Sequence, residues 1–436
     1  MSRGVAAPPP AGPAGGLLDP GHDPAPGSRR RWAIFGVGCL GFLLSMFYRV
    51  STAVITPELT RDLELDPSQL GALGAAFYYA FAACQLPLGP ALGRLGPRLT
   101  MTGLSVVGVA GAALFGLATD YHHALLGRVL MGAGMGGALM GVFALLAAWF
   151  PVNRFGLLSG TLVALGTAGN LLAATPLAML AQSLGWRGSF LVIGGFHALV
   201  AALFLLVARD HPPGRPAPRR SKGSPSLLRA MLASPAFWGI AVVNFFRYGC
   251  FAAVQGTWAG PFLMEGLSLH KVTAGNVILM LGLGYMLGLP ICGRLSDRVF
   301  RSRKWVALPG NVVLGILYLS VVLWGPDAPL WLALATFLGL GLWAAPGQLA
   351  MAHIKELAPA GGAAQAMTTL NLVTMVGPGV MSQVMGLALE HSQAAGPAGY
   401  DLIWYISAAG MLLGSCLYAL VPDSPALRPA ANPNKE

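Results

Sequence analysis

Hydrophobic residues fall into long runs along this chain, and short polar segments separate the runs. About 20 apolar residues are enough for a helix to cross a bilayer, and these runs reach that length. Because a spanning segment must satisfy its own backbone polar groups, the pattern predicts an all-α membrane protein with twelve transmembrane helices. We place the runs at residues 32–57, 68–92, 99–118, 123–148, 155–181, 187–208, 235–263, 271–293, 304–324, 328–352, 361–389 and 400–421.

Composition and charge agree with that pattern. Hydrophobic residues make up 55% of the chain and charged residues 10%, which excludes an ordinary soluble core. The net charge of +11 does not indicate nucleic acid, because the basic residues concentrate in alternate loops, as the positive-inside rule requires. Both termini are therefore expected in the cytoplasm, and the protein in the inner (plasma) membrane. The five cysteines lie in apolar runs without zinc-like or disulfide-like spacing, so we expect buried thiols, no metal and no cofactor.

A basic, proline-containing segment in the middle of the chain divides it into two halves. We expect a disordered cytoplasmic tail at residues 1–28, a six-helix bundle at 29–208 and a cytoplasmic linker at 209–232. A second six-helix bundle follows at 233–422, with a cytoplasmic tail at 423–436.

The loops after the second and eighth runs repeat one another. The first contains Gly89, Gly93, Arg94 and Arg98, and the second is Gly293-Arg294-Leu-Ser-Asp297-Arg298. Gly89 and Gly293 are 293 − 89 = 204 residues apart, close to half the chain, which indicates internal duplication.

These loops resemble the signature of the major facilitator superfamily, Gly-x-x-x-Asp-Arg-x-Gly-x-Arg/Lys. The second copy fits well, whereas Gly93 stands where the first copy would have its acid. Arg128-x-x-x-Gly132 and Gly185-Trp186-Arg187 are similar to two further motifs of the family. The resemblance implies two pseudo-symmetric six-helix bundles, a central cavity and alternating access, in a transporter rather than an enzyme.

We expect the repeated loops to gate the transporter. Asp297 can accept hydrogen bonds at a helix start and can pair with arginines. Asp210 and Asp423 occupy matching positions after runs six and twelve, where they are either parts of the same clasps or simply exposed end charges. The predicted gating residues are Gly89, Arg94, Arg98, Arg128, Gly293, Asp297, Arg298, Asp210 and Asp423.

Two arginines lie within apolar runs, each beside aromatic residues. Arg49 follows Phe47-Tyr48, and Arg247 lies between Phe246 and Tyr248, 247 − 49 = 198 residues later. A cation inside the bilayer costs roughly 2.5–3.5 kcal/mol on insertion scales, so it usually faces a bundle interior or watery cavity. Snorkelling to the interface is the alternative. Two arginines with almost no buried acid nearby predict an anion site.

The resemblance implies that helices one, four, seven and ten line the cavity. Polar positions in run seven recur at spacings that mostly share one helical face. The predicted substrate-binding residues are Tyr48, Arg49, Asn244, Arg247, Tyr248, Gln255, Trp258 and Gln348.

An arginine near a tyrosine in helix one resembles the organic-anion symporter branch of the family, and paired arginines are also similar to nitrate carriers. We therefore expect a monomeric secondary transporter for a small anion, an organic acid, in the lipid bilayer. A coupled proton or other ion stays open, since run four carries no acid. The alternatives are an exporter of drugs or lipids and a transporter-like sensor without flux. Gly377-Pro378 lies in run eleven, whereas drug antiporters have that pair in helix five.

Overall fold

The computed structural model describes residues 28–213, 225–325, 327–358, 362–392 and 396–423. Most of both predicted tails, and residues 214–224 of the predicted linker, lie outside those ranges. Within them, twelve helices are long and apolar enough to cross a membrane, as the sequence predicts. They are α1 (Arg29–Val50), α2 (Pro67–Arg94), α3 (Gly96–Gly116), α4 (Tyr121–Trp149), α5 (Asn153–Leu172), α6 (Thr175–Val207), α7 (Pro235–Gly266), α8 (Lys271–Val299), α9 (Lys304–Val322), α10 (Leu330–Leu357), α11 (Gln365–Glu390) and α12 (Ala398–Ala419).

The two halves pack their helices in the same way. In the first half α1 packs on α5, α2 on α4 and α3 on α6. The equivalent pairs of the second half are α7 with α11, α8 with α10 and α9 with α12. The halves meet where α2 packs against α11 and where α8 packs against α5 and α6. This arrangement is the twelve-helix, two-bundle fold that the repeat predicts.

Glycine lets helices of one bundle approach closely. A Cβ at Gly132 of α4 would overlap the backbone of Phe77 in α2, and one at Gly134 would overlap Gly108 in α3. Close backbone approach replaces the hydrophobic drive that a membrane does not supply. The glycine of the Arg128-x-x-x-Gly132 motif is thus a packing position.

Several spans are interrupted, which the run boundaries did not predict. Gly185, with φ of 70°, divides α6 into two pieces, residues 175–184 and 186–207. The first piece overlaps the end of the fifth predicted run, and the second corresponds to the sixth. In α7, π turns at Val254–Trp258 and Phe262–Gly266 shift the helical face along which the polar residues were aligned. In α10, a 3₁₀ segment at Ala345–Gln348 separates two α-helical pieces.

The two ends of the molecule differ in how the bundles meet. We call the end where the chain enters α1 and leaves α12 the terminal end, and the opposite one the far end. At the far end Thr52 donates to the carbonyl oxygen of Gly256 over 2.9 Å, and a Cβ at Gly260 would overlap Ala53. Lys271 and Glu58 form an ion pair across the same contact. The far end is therefore closed in this conformation.

Candidate functional site

Arg49, in the last turn of α1, reaches from the first bundle to the second. Its Nη1 lies 3.1 Å from the hydroxyl of Tyr248 in α7 and 3.7 Å from Sδ of Met375 in α11. The guanidinium carbon lies 4.4 Å from the centre of the Phe81 ring, a cation–π contact. Arg49 is 6% exposed, and its Nε has no hydrogen-bond partner among the described residues.

Arg247 is only 1% exposed, and its donors are already used within the second bundle. Nε and Nη2 point to Oδ1 of Asn244 at 3.2 and 2.6 Å, and Nη1 donates to the carbonyl oxygen of Ala344 over 2.9 Å. Asn244 in turn donates to Thr374 in α11 over 2.6 Å. In this conformation Arg247 therefore joins α7 to the interruption in α10 instead of presenting free donors.

Neither arginine forms an ion pair with a carboxylate in the part of the chain that the structure describes. The carboxylates of Asp62, Glu58 and Glu356 pair with other basic side chains, toward the two ends of the molecule. Arg49 thus carries a buried charge that neutral groups and a ring face compensate only in part. The arrangement favours an anion beside Arg49.

The remaining predicted substrate residues do not form one cluster. The Tyr48 ring lies inside the first bundle, 5.7 Å from His197, and its hydroxyl has no partner among the described residues. Gln255 is buried with its Nε2 near Gly282 of α8. Gln348, which is exposed, donates to the hydroxyl of Tyr285.

Trp258 is the last residue of the π turn Val254–Trp258 and lies near the closed far end. Its indole N–H donates to the carbonyl oxygen of Ser382 over 3.3 Å, and it borders a cavity of about 300 Å³ that also contacts Glu265 and Tyr400. The site formed around Arg49 in this conformation therefore consists of Phe81, Tyr248 and Met375, with Trp258 and Tyr48 outside it.

The predicted gating residues of the first half hold α3 in place. Asp210 accepts from the backbone N–H of Arg98 over 2.7 Å at the start of α3, where the helix dipole favours a negative charge. Gly96 has φ of 78°, and a Cβ there would overlap the Asp210 carboxylate. The Arg98 side chain donates to the carbonyl oxygen of Leu205, while Arg94 is exposed and Gly89 has open space beside it.

The second half repeats this contact with Asp423. Its carboxylate accepts from the backbone N–H of Lys304 at the start of α9, over 3.3 Å. Asp297 pairs with Arg303, which also binds Glu356 at 3.0 Å. Burial opposes the charge on Arg303, but the bonds to Glu356 and Asp297 outweigh it and raise the pKa of Arg303. All these contacts lie within one bundle. Arg298 is exposed, and Gly293 has open space beside it.

Arg128, which the sequence predicts as a gating residue, does not lie at the loops. It is fully buried in the first bundle, where Nη1 donates to the Tyr48 carbonyl oxygen over 2.8 Å and Nε to that of Leu73 over 3.2 Å. Arg128 thereby binds the backbone of α1 one residue before Arg49.

Sequence reasoning missed several residues that the structure brings to functional positions. Phe81 and Met375 are apolar and looked like ordinary core residues. Glu58 and Lys271 are ordinary loop charges in the sequence, and 213 residues separate them along the chain. Only the matching order of the two halves could have suggested that the far-end loops meet.

Known proteins are similar to this chain in sequence and in fold. The Major Facilitator Superfamily profile matches residues 37–262 and 242–436. The "Probable sulfoacetate transporter SauU" of Cupriavidus necator is 26% identical over 415 residues, which cover 88% of this chain and 92% of that protein. The "Probable hexose phosphate transport protein" of Chlamydia muridarum is 24% identical over 339 residues, covering 71% of this chain and 73% of the relative.

The fold is also similar to a solved structure, the bacterial homolog of the human lysosomal transporter Spinster in an inward-facing and occupied conformation. The TM-score is 0.74 at 18% identity, and the match covers 90% of this chain and 97% of that one. With the family match over most of the sequence, these observations give one conclusion. The chain belongs to the Major Facilitator Superfamily, and it is an integral, multi-pass secondary transporter rather than an enzyme.

Proposed function

We propose that this transporter carries a small organic anion, with Arg49 as the residue that binds the charged group. The observation that carries the proposal is the unbalanced guanidinium of Arg49. It is 6% exposed and reaches across the bundle interface, and among the described residues its Nε has no partner and no acid lies beside it. An anionic ligand would supply the missing charge and accept a fork of two N–H groups.

Two similar proteins support the anionic class. One is named for sulfoacetate and the other for hexose phosphate, and both solutes are negatively charged. Their shared chemistry is an oxyanion group on a small polar body. A carboxylate, a sulfonate or a phosphate presents the planar or tripod oxygens that arginine binds well.

Binding to the purified protein tests the substrate class directly. The probes are sulfoacetate, glucose 6-phosphate and lactate as anions, xylose as an uncharged control, and tetraphenylphosphonium for the drug-exporter alternative. We expect at least one anion to raise the thermal unfolding temperature, and to do so in the wild type but not in Arg49→Gln. Stabilisation by the hydrophobic cation alone would overturn the anion proposal.

Flux separates a carrier from a sensor. Proteoliposomes preloaded with the unlabelled anion should exchange it for the labelled anion, because a carrier binds its solute alternately from the two sides of the membrane. Binding without exchange would favour the sensor alternative.

We also propose that the terminal end faces the cytoplasm, because the basic loops lie there. Arg229 at that end and Asp327 at the far end are both exposed. With the native cysteines replaced, an impermeant maleimide added to intact cells should label Asp327→Cys and not Arg229→Cys. The reverse labelling would overturn this orientation.

A further inference from the structure

Arg247 fits a cradle made by a break in another helix. Its three donor contacts go to Asn244 in its own helix and to the Ala344 carbonyl oxygen, which lies where α10 changes to the 3₁₀ segment Ala345–Gln348. Arg247 Nη1 therefore binds α10 at the residue where its α-helical piece ends and the 3₁₀ segment begins. The broken helix thus provides an acceptor for a cation that would otherwise lie unpaired in the membrane.

Gly347 supplies the space for this cradle. A Cβ at position 347 would overlap Nε and Cδ of Arg247, so no larger residue is compatible with the observed side chain. The backbone φ at Gly347 is not in the left-handed region, so the glycine is required here for space and not for conformation.

Two short routes lead from this cradle to Arg49. Tyr248, the next residue after Arg247, is hydrogen-bonded to Arg49. Asn244, which holds Arg247, also donates to Thr374, and the next residue, Met375, contacts the Arg49 guanidinium. Both contacts from Arg49 to the second bundle therefore go to residues that lie beside members of the cradle.

We propose that Arg247 is a positioning residue of the anion site. It fastens α7 to the break in α10 and to α11, and through Tyr248 and Met375 it sets the place of the Arg49 guanidinium. In this conformation one arginine, Arg49, binds the anion and Arg247 does not contact it. This inference rests on the proposed function, because it assigns unequal roles to two arginines of the same site.

The first experiment needs no ligand and tests the cradle alone. Thermal unfolding is measured for Gly347→Ala in the wild-type and in the Arg247→Gln background. Because the added methyl group collides with Arg247 itself, it should lower the unfolding temperature clearly in the wild type and much less when residue 247 is glutamine. Gly339→Ala is the matched control in α10, since its Cβ would meet only a flexible Leu317 side chain at 3.3 Å. Equal losses in both backgrounds would overturn the cradle.

The second experiment measures binding of sulfoacetate, or whichever probe anion binds best, by calorimetric titration. Arg49→Gln should weaken binding by about 10- to 100-fold, the range for a charged hydrogen-bonding group. Arg247→Gln should weaken it less in the wild type and add almost nothing in the Arg49→Gln background, because it acts through Arg49. Asn244→Asp, which keeps an acceptor for Arg247, should retain affinity that Asn244→Leu loses.

A direct ligand role for Arg247 predicts different results. Arg247→Gln would then weaken binding as much as Arg49→Gln, would keep its effect in the Arg49→Gln background, and would leave the ligand-free unfolding temperature unchanged. That outcome overturns the inference. A wild-type protein that binds no anion would overturn the proposed function instead, and the ligand-free comparison of Gly347→Ala in its two backgrounds would still decide the cradle.

Discussion

The ammonium group of Lys271 lies 2.5 Å from Oε1 of Glu58, and this ion pair joins the two bundles at the far end. Glu58 belongs to the short helix that follows α1, and Lys271 is the first residue of α8. The side chains are 30% and 10% exposed, so solvent screens the pair only in part. The pair can exist only while the far end is closed, and it therefore stabilises that conformation selectively.

Breaking this pair should shift the protein toward a conformation open at the far end. We expect Lys271→Gln to lower the free energy difference between the open and the closed conformation by up to about 1 kcal/mol. The population that is open at the far end should then rise a few-fold. Spin labels at His122→Cys and Trp331→Cys, exposed residues near the far ends of α4 and α10, would report a larger share of long distances. The double variant Glu58→Lys/Lys271→Glu should restore the wild-type distribution of distances. If Lys271→Gln left this distribution unchanged, the ion pair would not stabilise the closed conformation.

Arg303 has two acidic partners of unequal strength. Glu356 is 17% exposed, whereas Asp297 is 57% exposed, so burial strengthens the first pair and solvent weakens the second. We expect Glu356→Gln to cost about 1–3 kcal/mol of stability and Asp297→Asn less than about 1 kcal/mol. Thermal unfolding of the two variants in parallel checks the order.

Transport by Asp297→Asn tests its gating role separately. We expect the affinity for the transported anion to stay within about tenfold of wild type while the exchange rate falls, since Asp297 pairs with Arg303 in the loop that we propose as a gate, away from the residues around Arg49. A folded Asp297→Asn variant that no longer binds the anion would place Asp297 in the binding site instead.

The sequence was sufficient for the helices and the two halves because both depend on local information. Spans follow from runs of apolar residues, and the repeated loops at Gly89 and Gly293 mark the duplication. The matching caps by Asp210 and Asp423 also follow from their equivalent positions.

The unequal roles of the two arginines could not be read from the chain. Arg49 and Arg247 look alike in sequence, each beside a tyrosine. What separates them is a carbonyl oxygen at Ala344 and a missing Cβ at Gly347, about 100 residues further along. The π turn that ends at Trp258 likewise has no counterpart in the local sequence pattern, which predicts one continuous helical face.

Asp62 should make stability depend on pH. It lies between α1 and α2 and accepts from the indole N–H of Trp186 over 3.0 Å and from Arg187 over 2.8 Å. The hydrogen bond from Trp186, followed by those from Arg61 and Arg187, lowers the pKa of Asp62 against a smaller opposing effect of burial. A lowered folded-state pKa means that the stabilisation is complete above the unfolded value, about 4, and is lost as the pH falls through the lower folded value.

We therefore expect Trp186→Phe to destabilise the protein by about 1 kcal/mol at pH 7 through this bond. The part of the loss that comes from the bond should shrink when unfolding is measured below pH 4, whereas any packing loss should not. Asp327→Asn, at an exposed carboxylate, is the control and should change little at either pH. A loss that is identical at both pH values would show that only packing is involved.

Two glycines distinguish packing between the bundles from packing within one. A Cβ at Gly260 would overlap Ala53 across the closed far end, whereas a Cβ at Gly132 would overlap Phe77 inside the first bundle. Overpacking of this kind typically costs about 1–3 kcal/mol. The clash at Gly260 disappears when the far end opens, but the clash at Gly132 persists in every state in which the first bundle stays intact.

Gly260→Ala should therefore lengthen the distance between labels at His122→Cys and Trp331→Cys with only a small fall in unfolding temperature, because the protein can avoid the clash by opening. Gly132→Ala should lower the unfolding temperature and leave the distance distribution near that of the wild type. Gly41→Ala, with open space around its Cβ, controls for the methyl group itself. If Gly260→Ala and Gly132→Ala gave the same label distances and the same loss of stability, the two bundles would not separate at Gly260. The contact between Gly260 and Ala53 would then persist when the transporter changes conformation.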